Sequence, residues 1–176
     1  MLNHHARNTV FTCLDFECGA RASPAAASSG SFNDGHAENE SLKSVYVGSK
    51  HGVVFQINYA REELEATYHT NDAAIYCISV NQAFCVTGSE DMFLRTWPLD
   101  FSSYHMEAKH QCTVCSVDIS PDGLRIIVGA KNGNIGILDK GDSPTYKTIM
   151  RTHAGAITDM DYHKELRCIV TVSEDF

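Results

Sequence analysis

The sequence has no apolar run that approaches the roughly 18 to 20 residues needed to cross a bilayer as a helix. No signal-peptide pattern opens it. Basic residues are also scarce, with 14 Lys and Arg against 22 Asp and Glu. A broad surface for nucleic acid or for an anionic membrane needs net positive potential, which this balance does not supply. We therefore expect a cytoplasmic protein whose partners are neither nucleic acid nor membrane.

Recognisable catalytic and cofactor-binding motifs are missing as well. The sequence contains neither the nucleophile elbow of serine hydrolases nor a glycine-rich phosphate loop. His110, Cys112 and Cys115 could supply three soft metal ligands, but a closed zinc site needs a fourth ligand. An extended backbone would also place the two cysteines on opposite faces of a strand. We expect no enzyme activity, no metal site and no cofactor.

Seven cysteines would suggest disulfide bonds in a small secreted chain. Most of these cysteines lie inside apolar segments, where cysteine behaves as a small hydrophobic residue. We therefore predict reduced thiols, buried as small hydrophobic residues, in a cytosolic setting. The five cysteines inside predicted strands are Cys13, Cys77, Cys85, Cys115 and Cys168.

What the sequence does contain is a pattern that recurs roughly every 40 to 43 residues, in which short apolar runs alternate with turn residues. Several positions keep this spacing at once, which makes a chance origin implausible. Three such columns consist of Gly48, Gly88 and Gly129; of Ile57, Trp97 and Leu138; and of His69, His110 and His153.

This repeat length predicts an all-β fold built from the four-stranded blades of a β-propeller. No amphipathic helical pattern lies between the strands, although Tyr59 to Ala66 fits either a short helix or a loop. Blades take about 40 to 45 residues, and propellers usually close with about four to eight. Only about three and a half blades fit here, so we expect a partial propeller and further blades in a longer parent chain.

The repeats divide the whole chain, residues 1–176, into four units. A stretch rich in Ala, Ser, Gly and Asn interrupts the first unit at about 17–43, and we predict a flexible insertion there. The predicted units span about 5–68, 69–108, 109–151 and 152–176.

The repeat columns resemble those of WD-repeat propeller proteins, in which a histidine, a Ser or Thr, a turn aspartate and a tryptophan recur in each unit. The second unit matches this set with His69, Thr87, Asp91 and Trp97. The resemblance implies that these four side chains form a buried structural hydrogen-bond network within one blade. The other units depart from the set, since Leu138 stands where a tryptophan is expected.

Two longer strings resemble one branch of that family more narrowly. SEDMFLRTWPLDF and SPDGLRIIVGAKNGNIGILD are similar to the WD repeat-containing protein 90 family, which is associated with centrioles and cilia. The resemblance implies a non-catalytic scaffold for protein partners in centriole or cilium microtubule assembly. Those partners would be cytoskeletal or centriolar proteins, including tubulin-associated ones.

A rival interpretation uses the same fold with different partners, as an adaptor in a ubiquitin ligase or signalling complex. In either case we expect binding at hairpin turns gathered on one rim, because rigid strands hold such turns in place. The partner-binding candidates are Lys50, His51, Met92, Lys131 and Asn132.

Overall fold

The computed structural model describes residues 9–16, 44–141, 143–163 and 165–175. All regular secondary structure in these ranges is β-strand. The predicted insertion at 17–43 lies outside the described residues. The strands are β1 Phe11–Phe16, β2 Ser44–Ser49, β3 Val53–Asn58, β4 Glu63–His69, β5 Ile75–Val80, β6 Phe84–Ser89, β7 Phe93–Pro98, β8 Met106–Lys109, β9 Val114–Ile119, β10 Arg125–Ala130, β11 Asn134–Asp139, β12 Thr145–Arg151, β13 Ile157–His163 and β14 Cys168–Ser173.

These strands form three four-stranded antiparallel sheets and one two-stranded sheet, each ordered as in the chain. The first strands of successive sheets, β1, β5, β9 and β13, pack side by side in that order. Each sheet therefore starts near a common axis and runs outward, as propeller blades do. The prediction of an all-β partial propeller is confirmed. The sequence of the segment from Tyr59 to Ala66 fits either a short helix or a loop. In the structure this segment forms a turn followed by the start of β4.

Burial explains why the second strand of each sheet carries the most continuous apolar sequence. Every residue of β2 and β6 is buried, because each strand lies between two strands of its own sheet and packs against the first strand of the following sheet. In the outermost strand β4, exposed and partly buried residues alternate. Alternation of this kind is typical of a strand with one face in solvent.

A glycine in the second strand receives a β-branched side chain from the next sheet. A Cβ atom added at Gly48 would lie 2.9 Å from Cγ2 of Ile75, and one at Gly129 would lie 2.7 Å from Cγ2 of Ile157. Gly88 faces Val114 in the same way. This close approach is the physical reason for the glycine column in the sequence.

An aromatic cluster joins the first two sheets. The ring of Phe101, from the loop after β7, stacks on Tyr68 at 4.4 Å between centroids. The same ring lies 6.0 Å from both Tyr46 and Trp97. Phe101 is buried although its backbone has a φ of 50°, so packing of the ring offsets an unfavourable backbone conformation.

Two aspartates link neighbouring first strands. Oδ2 of Asp15 accepts a 2.8 Å hydrogen bond from the Val80 amide, and Oδ2 of Asp118 accepts one of 2.8 Å from the Tyr162 amide. Burial raises the pKa of Asp118, and its backbone hydrogen bonds only partly oppose this.

The described cysteines are free thiols, and Cys77 and Cys85 are buried as predicted. Cys168 is exposed, contrary to that prediction.

Within the described ranges, the structure contains no helix long and apolar enough to span a bilayer.

Candidate functional site

The turns between the second and third strands lie at equivalent places in the first three sheets. In each turn the third residue donates its amide to the last residue of the second strand: Gly52 to Ser49 at 3.2 Å, and Gly133 to Ala130 at 3.0 Å. Met92 makes the same bond at 3.2 Å. All three turn residues have a positive φ, of 73°, 71° and 79° for Gly52, Met92 and Gly133. The three turns therefore share one geometry and one rim.

The first residue of each turn is hydrogen-bonded to the backbone that precedes the first strand of its sheet, near the common axis. Its amide donates to a carbonyl just before the first strand of the same sheet, from Lys50 to Val10 and from Lys131 to Thr113, both at 3.0 Å. The same bond recurs in the other two sheets, and all four side chains are exposed. These side chains alternate in charge around the rim, in the order Lys50, Glu90, Lys131 and Glu174.

The five predicted partner-binding residues lie in these turns. Lys50, His51 and Lys131 are exposed, and Met92 and Asn132 are partly buried. Oδ1 of Asn132 also accepts the Asn134 amide at 3.2 Å, so this side chain shapes its own turn. The structure thus brings the five residues to one rim, and binding at that rim stays a prediction.

Two depressions adjoin the rim, and the sequence did not indicate most of the residues that line them. A groove of about 480 Å³ runs between the first two sheets beside His51 and His69, with Arg95, Tyr104 and Glu107 on its wall. A second depression, of about 260 Å³, lies between the second and third sheets. Its lining residues are Tyr76, Glu90, Thr113, Cys115 and Lys131.

Arg95 is the main charged residue of the first groove, and it is largely buried. Its Nη1 lies 2.8 Å from Oδ2 of Asp91, and its Nε lies 2.7 Å from Oε2 of Glu107. Burial alone would raise the pKa of Asp91, but hydrogen bonds from Ser89, Arg95 and the Phe93 amide outweigh burial and lower it. Arg95 is therefore committed to these two carboxylates.

The predicted network of the second sheet separates into two parts. Nε1 of Trp97 donates a buried 2.9 Å hydrogen bond to Oγ1 of Thr87. Asp91 instead bonds Ser89, the Phe93 amide and Arg95. The aspartate therefore fixes the turn, while the tryptophan and threonine tie together the two strands that flank it.

The structure departs from the prediction at His69. This residue is exposed at the end of β4, two positions short of the place that His153 holds before its own first strand. Asn71 holds that place in the second sheet. Its amide donates to Gly52 O at 3.0 Å, as the His153 amide donates to Gly133 O at 3.3 Å. The asparagine side chain lies 3.1 Å from the Ser89 hydroxyl.

The fourth sheet joins its histidine, threonine and aspartate directly. Nδ1 of His153 lies 3.2 Å from Oδ1 of Asp175, and its Nε2 lies 2.9 Å from Oγ1 of Thr171. Hydrogen bonds from the Ala154 amide, Ser173 and His153 lower the pKa of Asp175. The sequence signal for this arrangement is the string VTVSED at 170–175, which matches VTGSED at 86–91 in the second unit.

The third sheet uses its histidine differently. Nδ1 of His110 contacts the Tyr146 hydroxyl, and Gly136 leaves the space for this contact. Burial lowers the pKa of His110 and raises that of Tyr146. Nε2 of His110 is buried without a hydrogen-bond partner. Val128 stands here at the place of Thr87 and Thr171.

Cys112 and Cys115 do not assemble a metal site with His110. Sγ of Cys115 points to the carbonyl of Thr113 at 3.7 Å, and burial raises the pKa of this thiol. Across the part of the chain that the structure describes, no group of three or more His, Cys, Asp or Glu side chains could hold a metal ion.

Comparison with known families gives two matches. The family described as "WD domain, G-beta repeat" matches residues 62–98 and 102–139. Each matched repeat contains the outermost strand of one sheet and the first three strands of the next. The sequence repeat is thus offset from the sheets by one strand.

Curated proteins from three organisms are similar in sequence to the chain. The chain is 34% identical over 165 residues, 82% of its length, to "WD repeat-containing protein 90" of Xenopus tropicalis. It is 43% identical over 102 residues, 58% of its length, to the Homo sapiens protein of that name. It is 40% identical over 111 residues, 62% of its length, to "Centriole proteome protein 16" of Chlamydomonas reinhardtii. The chain spans only 5 to 9% of the length of these relatives.

Solved structures show the same fold at low sequence identity. The computationally designed Ika4 protein superposes with a TM-score of 0.69 at 14% identity, covering 99% of this chain and 91% of that one. A chain of the Mitotic Checkpoint Complex gives a TM-score of 0.65 at 18% identity, covering 74% of this chain and 41% of that one. Four radial sheets, recurring turns and two matched repeats lead to one conclusion: the chain contains WD repeats and folds as part of a β-propeller.

Proposed function

We propose that this chain is a non-catalytic scaffold element that binds protein partners during the assembly of centriolar or ciliary microtubules. The observation that carries the proposal is the 40% identity to a relative named "Centriole proteome protein 16". The similarity to proteins named "WD repeat-containing protein 90" covers more of the chain and agrees with it.

The rim supports binding by a physical argument. Its turns are held by backbone hydrogen bonds at both ends, so they lose little conformational entropy when a partner docks. Lys50 and Lys131 are exposed on this rim and are not committed to a salt bridge among the described residues. They are the cations best placed to contact an acidic segment of a partner.

The partner we favour is a centriolar protein, or a tubulin-associated one, and not the tubulin surface itself. The chain has a net charge of −8. The exposed surface of tubulin is also acidic, and like charges repel over a broad contact. A local acidic segment on a partner can approach the two rim lysines without meeting that repulsion.

The proposal is tested by expressing the tagged chain in ciliated cells and measuring its enrichment at centrioles. We expect enrichment, and we expect K50E/K131E to reduce it because the rim loses its cations. The matched control is R61E/K147E, which makes the same charge change at exposed positions away from the rim turns. Uniform distribution of the unaltered chain, or equal loss in both double variants, contradicts the proposal. Purification with ubiquitin-ligase or signalling subunits instead would support the rival role.

A further inference from the structure

Three of the four prolines in the chain directly follow a serine, and two of these pairs lie in the described residues. They are Ser120-Pro121, in the turn between β9 and β10, and Ser143-Pro144, in the loop between β11 and β12. The third serine, Ser23, lies outside the described residues. A serine followed by proline is the minimal recognition sequence of proline-directed protein kinases, so the sequence alone does not distinguish the two sites.

The Ser120 hydroxyl is committed to its own turn, and the residue is only 4% exposed. Its Oγ lies 2.5 Å from Oδ1 of Asp122 and accepts a 2.9 Å hydrogen bond from the Arg125 amide. The turn joins the two innermost strands of the third sheet, and β9 packs against both β5 and β13. A kinase would reach this hydroxyl only after the inner part of the sheet had opened.

Ser143 is exposed, and so are Gly141, Pro144 and Thr145 around it. Among the described residues, no hydrogen bond engages its hydroxyl. The proline that follows disfavours a helical backbone at Ser143 and favours an extended one. A protein kinase binds the segment around its phosphoacceptor in an extended form. Both the exposure of this serine and its backbone preference therefore suit a kinase substrate.

The chain that follows Ser143 lies at the outer edge of its sheet. The pairing of Asp139 with Thr145 closes the loop, and β12 pairs with β11 alone among the described strands. Opening an edge strand disrupts fewer hydrogen bonds and buried contacts than opening an inner hairpin, so it costs less free energy. The loop and the start of β12 can therefore enter a kinase cleft while β9, β10 and β11 stay folded.

Lysines flank Ser143 on both sides, with Lys140 three residues before it and Lys147 four residues after it. Lys147 is exposed, and Nζ of Lys140 lies 3.2 Å from the centroid of the Phe84 ring. A phosphoserine carries a charge of about −1.5 to −2 at neutral pH. The chain as a whole is acidic, with a net charge of −8, but these two cations offset the new charge locally.

We infer that Ser143 is a phosphoacceptor for a proline-directed protein kinase, whereas the fold protects Ser120. The kinase transfers the γ-phosphoryl group of ATP to Oγ of Ser143. A new O–P bond forms, the bond between the γ-phosphorus and the bridging oxygen breaks, and ADP leaves with that electron pair. The hydroxyl proton passes to the catalytic aspartate of the kinase.

The phosphate lies at the end of the third sheet that is opposite the rim. β11 runs from the rim turn at Asn134 to the loop of Ser143 at Asp139, so the two turns are at opposite ends of one strand. Phosphorylation therefore adds a dianion to the protein without altering the rim turns.

The inference is tested on the full chain with ATP, Mg²⁺ and a purified cyclin-dependent kinase, and mass spectrometry locates the phosphate. S23A removes the third serine–proline pair from every sample. Ser143 should be phosphorylated, and Ser120 should react at least about tenfold more slowly because its segment must first open. A peptide of residues 116–126 is the unfolded reference, and it should accept phosphate on Ser120 readily.

P144A tests the class of kinase, because it keeps Ser143 and removes the proline. The rate at Ser143 should fall by about tenfold or more, since a kinase discriminates substrates by contacts around the reacting hydroxyl. T145A is the matched control at the next exposed position, and it should keep the rate of the unaltered chain. Thermal unfolding checks that both variants are folded.

A second measurement maps the phosphates on the tagged chain recovered from dividing cells treated with a phosphatase inhibitor. Phosphate on Ser143 is expected there as well. The inference is overturned if Ser143 stays unmodified in either measurement, if Ser120 reacts as fast as Ser143 in the folded chain, or if P144A keeps the full rate. A reference peptide that accepts no phosphate would show that its sequence, and not the fold, protects Ser120.

Discussion

Nε2 of His153 lies 2.9 Å from Oγ1 of Thr171, and the third sheet keeps the histidine of this pair but not the threonine. His110 is only 2% exposed, and its Nε2 has no partner. Val128 stands at the threonine position. A buried imidazole nitrogen without a hydrogen bond reduces stability, so the third sheet contains a correctable defect.

The first prediction is that V128T stabilises the protein. The new hydroxyl should bond Nε2 of His110 and recover about 1 kcal/mol of unfolding free energy. Denaturant unfolding followed by fluorescence measures the change. V86T is the matched control, because Val86 is equally buried in an apolar cluster and its replacement should cost about 1 to 2 kcal/mol. Destabilisation of equal size in both variants would contradict the prediction.

The second prediction concerns the pH dependence of stability. Burial lowers the pKa of His110 below its ordinary value of about 6.5, so the unfolded state takes up this proton first as the pH falls. Stability should therefore decrease from about pH 7 downward and level off below the pKa of the folded state. H110Q should flatten this part of the curve.

H51Q provides the comparison for that experiment, because His51 is exposed in a rim turn. The slope of H110Q is compared with that of this variant, in which the same substitution is made at an exposed position. An unchanged slope in H110Q would show that another group controls the pH response.

The third prediction concerns the stability of the protein and compares the same turn position in two sheets. Glycine in place of Met92 should raise the stability, whereas alanine in place of the equivalent Gly133 should lower it. Met92 has a φ of 71°, a conformation in which side chains are unfavourable, so M92G should raise stability by about 0.5 kcal/mol. G133A should destabilise strongly, because a Cβ there would lie 2.8 Å from the Gly155 carbonyl oxygen. Thermal unfolding distinguishes the two. A stability loss in M92G would indicate that the side chain packs usefully on the rim.

The fourth prediction compares two buried threonines by isosteric replacement. Thr87 accepts a hydrogen bond from Trp97, whereas the Thr96 hydroxyl is buried without a partner. T87V should cost about 1 to 3 kcal/mol, since the indole N–H loses its acceptor. T96V should be neutral or stabilising. Urea unfolding of both variants provides the measurement, and a large loss in T96V would reveal a partner for its hydroxyl.

The sequence predicted the strands well because their signals are local. Second strands read as continuous apolar runs, and turns such as Asn132-Gly133 mark hairpins with little ambiguity. The regular spacing of Gly48, Gly88 and Gly129 is also visible in the sequence. The reason that these positions need glycine is not. That reason is a contact between sheets, as between Gly88 and Val114, which no local pattern can show.

The candidate site was predicted less completely, because its polar partners come from different strands. The family pattern places a histidine before each first strand and therefore favours His69, although Asn71 has the correct distance to β5. The link from His110 to Tyr146 joins residues 36 positions apart and depends on the space that Gly136 leaves. The sequence does not indicate the role of Arg95, because its two carboxylate partners, Asp91 and Glu107, lie on different elements.

The one-strand offset between the matched repeats and the sheets determines where the polypeptide can be shortened. A cut at Pro98 or Asp139, where the matched repeats end, removes β8 or β12 and leaves an unpaired outer edge open to intermolecular pairing. A cut after Lys109 or Arg151 keeps each sheet whole. Deletion series made to map partner binding should therefore follow the second set of boundaries, or aggregation will be mistaken for lost affinity.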